Sequence, residues 1–463
     1  MRQAAVPSRY VQTWKVPTRL AVGALALALT LPPLPAFADD RIPTVRDAET
    51  EALIADYLRP IVKTAGQQMP TIMLINSQTF NAFVTTEHRL FINVGTIINS
   101  ETPNELIGVL AHETGHIAHS DVARMKQAIA DTSAAMLLAT IAGVGIGAAG
   151  AATGNSGAGQ AGTGIISGGI TIAERSLLRF QREQEAGADR ASVDYLNKTH
   201  QSGAGMLAVL ERLASDSLFD ARNANPYLQS HPMPRERIAT LEQLVRAGPY
   251  FNQKDPPALQ ARHDLVRAKL IGFTWSLLQV NRHYPITDNS LAARYARTIA
   301  IYRNGRAVDA LKQVDQLTRA SPNDPYFWEL EGQILLETGK PKDALGPLRK
   351  AVSLAPDANL IKVLLGQALV ALGGRSNADE AVRLLSAAIV NYPDLPGGYH
   401  ALARAYAMQD NEPLAQLATA QGLFIEGDVK GAQIQAIRAQ AKLKRGSPAW
   451  LRADDIVSYK APK

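Results

Sequence analysis

The chain has 463 residues, 46% hydrophobic and 19% charged, with no cysteine. This is the balance of a globular protein of two or three domains with large cores, and it excludes both disulfide bonding and a lipid-modified N-terminal cysteine. The formal charge of +6 falls to +2 once Arg2, Arg9, Lys15 and Arg19 are set aside with the first 38 residues, so no nucleic-acid-binding field covers the protein and no nucleic acid is expected as a partner.

Those 38 residues read as a signal peptide. Basic residues precede an apolar run from Leu20 to Leu31, Pro32 and Pro33 end it, and Ala36-Phe37-Ala38 offers a small-x-small cleavage site. The run is shorter than the roughly 20 residues that an anchor helix needs. A leader ahead of a cysteine-free chain points to a bacterial periplasm.

Residues 41 to 70 then place Glu51, Leu53, Ile54, Tyr57 and Leu58 at helical spacing and close at Gly66 and Pro70. Short β-rich runs follow at Ile72 to Asn76, Ala82 to Val84 and Leu90 to Gly95, read as a small antiparallel sheet, with the strand near Leu90 to Val94 expected at its edge. Helical spacing resumes at Asn104 and is expected to run unbroken to about Ile129.

Residues 132 to 173 contain no charge, and 11 glycines fall between Gly143 and Gly169. The segment is expected to form a hydrophobic flap or helical hairpin beside the active site, with peripheral membrane contact as the alternative. Helical sequence continues to about residue 270, and residues 271 to 289 read as a linker helix region.

From residue 290 a repeat appears. Ala310 and Pro322 recur 34 residues later as Ala344 and Pro356, and Gly332 recurs as Gly366. Trp328, Leu335, Leu348 and Ala351 fill packing positions of a tetratricopeptide repeat, and Gly373 to Asn377 enlarge the turn of the third unit. Stacked helix pairs of this kind present a concave surface to extended partners.

The chemistry lies at His112-Glu113-Thr114-Gly115-His116. Histidines four apart share a helix face and can reach one ion, whereas Glu113, roughly 100° further round, is placed to take a proton from water. A catalytic zinc takes three protein donors, and the best third is Glu185, in Glu185-Ala186-Gly187-Ala188-Asp189. Asp189 lies on the same face as Glu185, where its carboxylate can accept the other N–H of a ligand histidine. His119 reads as a surface residue or one behind the ligands.

These two motifs resemble those of the gluzincin peptidases related to the prenyl-protein (CAAX) endopeptidases. A leader, a soluble catalytic domain and C-terminal repeats resemble the family's periplasmic quality-control members. The resemblance implies zinc ligands His112, His116 and Glu185, general base Glu113 and supporting Asp189. His231-Pro232 matches a further motif, implying a histidine able to occupy the water position on zinc and hold the enzyme latent, with Arg237 as a structural or transition-state-facing cation. Two departures, the charged segment Asn81 to Arg89 and the displaced histidine after His116, bear on substrate docking and regulation.

The implied fold is α+β and mostly helical: a zincin-like metallopeptidase domain over residues 39 to 270, then an α-helical repeat solenoid over 290 to 463. The implied activity is zinc-dependent endoproteolysis of misfolded or stalled envelope polypeptides, together with assistance to outer-membrane protein assembly. Its partners are unfolded polypeptides and, through the repeats, the outer-membrane β-barrel assembly machinery. The competing reading is a periplasmic chaperone or assembly scaffold with latent protease activity.

Overall fold

The computed structural model describes residues 44–152, 156–219, 226–232 and 235–460; the expected signal peptide lies outside the described residues. Strand β1 (Thr44–Val45) leads into helix α1 (Ala48–Thr64), where the Asp47 side chain accepts from the backbone N–H of Thr50 and caps the first turn. Strands β2 (Thr71–Ile75), β3 (Ala82–Val84) and β4 (Arg89–Asn93) complete a sheet of order β1-β2-β4-β3.

That sheet is mixed. β2 and β4 run parallel, with Ile72 opposite Leu90, while β1 and β3 are antiparallel to their neighbours. Its edge also differs from the expectation: β4 is paired on both sides, so residues Leu90 to Asn93 offer no free edge, and β3 does. The alternation of β4 explains the placement. Leu90 and Ile92 enter the main core, whereas Phe91 joins Met73, Ile75 and Phe83 on the other face.

After α2 (Val94–Asn99), helix α3 (Pro103–Ala118) begins with Pro103 at its first position and the Thr102 side chain accepting from the Glu105 N–H. Leu106, Ile107, Val109, Leu110 and Ala111 are each no more than 2% exposed, so the middle of this helix is buried on every side and lies inside the domain. Burial on this scale is worth roughly 1.5–3 kcal/mol per large aliphatic side chain.

The unbroken helix expected to Ile129 is interrupted. Ser120 has φ +54°, and a second helix, α4 (Asp121–Ala152), starts in a new direction. With α5 (Ser156–Lys198) it forms a long antiparallel helical hairpin that carries exposed Ile129, Leu137, Leu138, Ile141, Ile172 and Leu178. Among the described residues, no helix is long and apolar enough to cross a membrane.

Helices α6 (Ala204–Phe219), α7 (Pro226–Ser230) and α8 (Arg235–Ala247) pack on the catalytic core, and α9 (Pro257–Thr274) and α10 (Leu277–His283) lead to the repeats. Paired helices then follow, beginning with α11 (Leu291–Arg303), α12 (Ala307–Ala320), α13 (Pro325–Glu337), α14 (Pro341–Leu354), α15 (Asn359–Leu372) and α16 (Arg375–Asn391). The 34-residue period has a packing cause. A Cβ on Gly332 would lie 2.4 Å from Leu348 Cγ, and one on Gly366 would lie 2.6 Å from Leu385 Cγ, so glycine permits the close approach within each pair.

The array meets the catalytic domain through the start of α1. Ala48 packs with Ala351 and Ile361, while Arg46 bonds Glu51 at 2.8 Å, reaches Asp394 at 3.3 Å and lies over the Tyr392 ring.

Candidate metal centre

Three elements bring the expected site residues together. Helix α3 presents His112, Glu113 and His116; α5 presents Glu185 and Asp189; and His231 follows α7, its backbone N–H donating to the Tyr227 carbonyl at 2.8 Å. The approach of α5 to α3 depends on Gly115, inside the ligand motif. A Cβ there would stand 3.0 Å from both Cα and O of Ala188, a separation that would push Glu185 away from the histidines.

Nε2 of His112 and Nε2 of His116 are 3.1 Å apart. Glu185 approaches them at 3.4 Å (Oε2 to His112) and 3.5 Å (Oε1 to His116), and His231 Nδ1 lies 3.1 Å from Glu185 Oε1 and 3.4 Å from His112 Nε2. All four side chains are buried. A tetrahedral zinc with nitrogen bonds of about 2.0–2.1 Å has ligand-to-ligand edges of about 3.3 Å, which these separations match.

The donor chemistry fits as well. His116 Nδ1 donates to Asp121 Oδ2 at 2.9 Å, so its Nε2 carries a lone pair. His112 Nδ1 lies 3.0 Å from Asp189 Oδ1 without hydrogen-bond alignment. Imidazole nitrogens and a carboxylate thus converge on one point. Both oxygens of the buried Glu113 and Nε2 of His231 lack hydrogen-bond partners among the described residues, although the two groups are 3.4 Å apart. Such groups are retained in a protein interior for a ligand or for chemistry.

The electrostatics reflect this crowding. Burial opposes a charge on His112, but Asp189 and Glu185 outweigh it and push the ring up to about 9. Burial pushes Glu113 up to about 8, with His112 opposing and Glu185 reinforcing. Burial takes His231 down to about 4 against Glu185, and also lowers His116 against its bond to Asp121. Glu185 is held far below the usual carboxylate range, despite burial, by His112 and His231. Asp189 is held at about 2, despite burial, by the hydrogen bonds of Arg237 and by His112 beside it. Glu185 and Asp189 stay ionised beside the histidines, which is the field that a cation meets here.

Arg237 donates to Asp189 from Nε at 2.6 Å and Nη2 at 2.8 Å, and its Nη1 is 2.7 Å from Glu185 Oε2. These contacts hold the guanidinium against the carboxylates of Glu185 and Asp189. His119 is 39% exposed in its side chain and stands 4.0 Å from Asp121. Two residues escaped sequence reasoning: Asp121 and Tyr227, whose ring centroid is 4.6 Å from that of His231. Asp121 was hidden because five residues past His116 is off the ligand face of a continuous helix; only the turn at Ser120 folds it back.

Comparison with known proteins agrees with this geometry. Residues 47–245 match peptidase family M48, and residues 295–359 and 330–396 match a tetratricopeptide repeat. The chain is 26% identical over 391 residues to a β-barrel assembly-enhancing protease of Yersinia pestis, covering 82% of this chain and 76% of that one. With the same coverage, it is 25% identical over 392 residues to a β-barrel assembly-enhancing protease of Escherichia coli strain K12. A protease HtpX homolog of Ralstonia pickettii is 28% identical over 208 residues, 40% of this chain and 71% of that one. Ligand geometry, catalytic region and repeats therefore agree: the chain is a zinc metallopeptidase, similar over residues 47–245 to peptidase family M48, with C-terminal tetratricopeptide repeats, and similar in plan to the β-barrel assembly-enhancing proteases.

Proposed function

We propose that this protein is a periplasmic endopeptidase that removes misfolded or stalled envelope polypeptides and assists outer-membrane protein assembly, and that it rests in a latent state. The observation that carries the latency is His231, whose Nδ1 lies among Glu185 and His112 at 3.1–3.4 Å and takes the fourth corner of the donor set. His112, His116 and Glu185 are the zinc ligands in this reading. The expected leader, and the expected boundaries at residues 38, 270 and 290, complete it.

Zinc bound here supplies Lewis acidity, polarising a scissile carbonyl and making water a nucleophile at neutral pH. Glu113 accepts the water proton as the water oxygen bonds to the carbonyl carbon, and it delivers a proton to the nitrogen as the C–N bond breaks. Its unpartnered oxygens suit that exchange, since neither must first give up a hydrogen bond. Asp189 and Arg237 hold Glu185 and His112 in place.

For substrate recognition, the free edge of β3 supports pairing with an extended backbone, which tolerates varied side chains. A cleft of about 720 Å³ between α1 and the repeats, lined by Arg46, Glu51, Arg59, Tyr326, Asn391 and Tyr392 among others, supports capture of a polypeptide there. The outer-membrane assembly machinery is the proposed partner of the repeats. The exposed aliphatic side chains of the α4–α5 hairpin support a flap role beside the site, with membrane contact as its alternative.

His231→Ala is expected to raise hydrolysis of an unfolded protein several-fold with zinc content unchanged, and Glu113→Gln to lower turnover by about 10²–10⁴. A fall in activity for His231→Ala would end the latency reading. The plugged fourth corner also favours the second reading, a repeat-based scaffold. Full activity of Glu113→Gln in an outer-membrane assembly assay, lost on deleting residues 290–463, would select it.

A further inference from the structure

The two histidines of the ligand motif are backed by carboxylates in different situations. Asp189 is shared. Arg237 donates two short hydrogen bonds to it, and His112 Nδ1, though only 3.0 Å away, lacks hydrogen-bond alignment. Asp121 gives its closest contact to a ligand alone. Its Oδ2 accepts from His116 Nδ1 at 2.9 Å, while Arg124 Nη1 and His119 Nδ1 stay back at 3.8 and 4.0 Å.

Position reinforces this pairing. Asp121 is 4% exposed, it is the first residue of α4, and its backbone carbonyl accepts from Nε2 of Gln184 at 3.0 Å. Gln184 immediately precedes Glu185. A side-chain bond to His116 and a backbone bond from Gln184 therefore tie α3 and α5 together at the foot of the hairpin. An imidazole with a carboxylate on Nδ1 is locked in one tautomer and becomes a stronger donor through Nε2.

We propose that Asp121 is the positioning residue of the zinc site: it fixes the ring and tautomer of His116 and, through Gln184, sets the separation of His116 from Glu185. The proposal rests on the reading of His112, His116 and Glu185 as zinc ligands. It assigns the hairpin a part in forming the metal site, since α4 starts at the residue that aims His116.

The test is zinc affinity of the full chain, by competition with a chromophoric chelator, together with the melting temperature of the zinc-free protein and the visible spectrum of the Co2+-loaded protein. Asp121→Ala is expected to weaken zinc binding about 10- to 100-fold. Asp121→Asn keeps a similar shape and an acceptor but loses the charge, so it should weaken zinc by a smaller factor and shift the Co2+ bands without changing zinc-free melting. Arg124→Ala, which touches the same carboxylate only from outside, should leave zinc affinity as in the parent. Parent-like zinc affinity and Co2+ spectrum in Asp121→Asn would overturn the proposal, and that variant decides alone if the alanine form does not fold. His116→Ala and Glu185→Ala separate the two levels. If they keep parent affinity, the ligand reading fails; if they lose zinc while both Asp121 variants keep it, only the role of Asp121 fails.

Discussion

Two buried clusters of acids in this protein differ in the source of their positive charge. At the joint of α1, α9 and α13, Lys269 Nζ lies 2.6 Å from Asp47, 3.3 Å from Glu329 and 3.5 Å from Glu49, and Tyr295 donates to Glu49 at 3.0 Å. The chain supplies its own cation there. At the metal centre the inward-facing atoms are imidazole nitrogens and carboxylate oxygens, and Arg237 is bound to Asp189 and Glu185. The first cluster is complete as synthesised, whereas the second is completed by an ion. Burial alone does not separate the two; the presence or absence of a donor at the point of convergence does.

The largest effect is expected at Lys269. Lys269→Met strands Asp47, Glu49 and Glu329 in the interior and should cost about 3–5 kcal/mol, read by denaturant unfolding, with zinc per folded chain unchanged. Glu185→Gln should do the opposite, losing zinc with little change in the stability of the zinc-free protein. If the two variants behaved alike, the distinction would collapse.

A smaller effect is expected from pH. Burial pushes Glu49 up to about 8, opposed by Lys269. Between about pH 4.5 and 8 the folded state therefore keeps a proton that the unfolded chain has released, so this group's contribution is full below that window and falls as pH rises through it, by up to about 1.4 kcal/mol per unit. Glu49→Gln carries its neutral analogue at every pH and should flatten that slope. An unchanged slope would mean that Glu49 is ionised beside Lys269.

The legible parts of this protein were those whose geometry is local or periodic. His112 and His116 are one helical turn apart, Glu185 and Asp189 repeat that spacing, and the 34-residue repeat reflects glycine-to-leucine approaches within neighbouring helices. The alternation at Leu90 to Asn93 was equally legible as a strand. Its parallel pairing with β2 was not, because strand partners are chosen by tertiary packing. The break at Ser120 carries neither glycine nor proline, so a continuous helix was the natural reading, and with it Asp121 was turned away from His116. The Lys269 cluster joins residues 47 and 329, a separation that no local pattern records.

In the proposed function, His112, His116 and Glu185 form one zinc site in the interior. Its most direct test is metal content by native mass spectrometry after refolding with zinc. One zinc per chain is expected in the parent and in Glu113→Gln, and none in His112→Ala or Glu185→Ala. A parent chain without zinc, or ligand variants that keep a full equivalent, would contradict it.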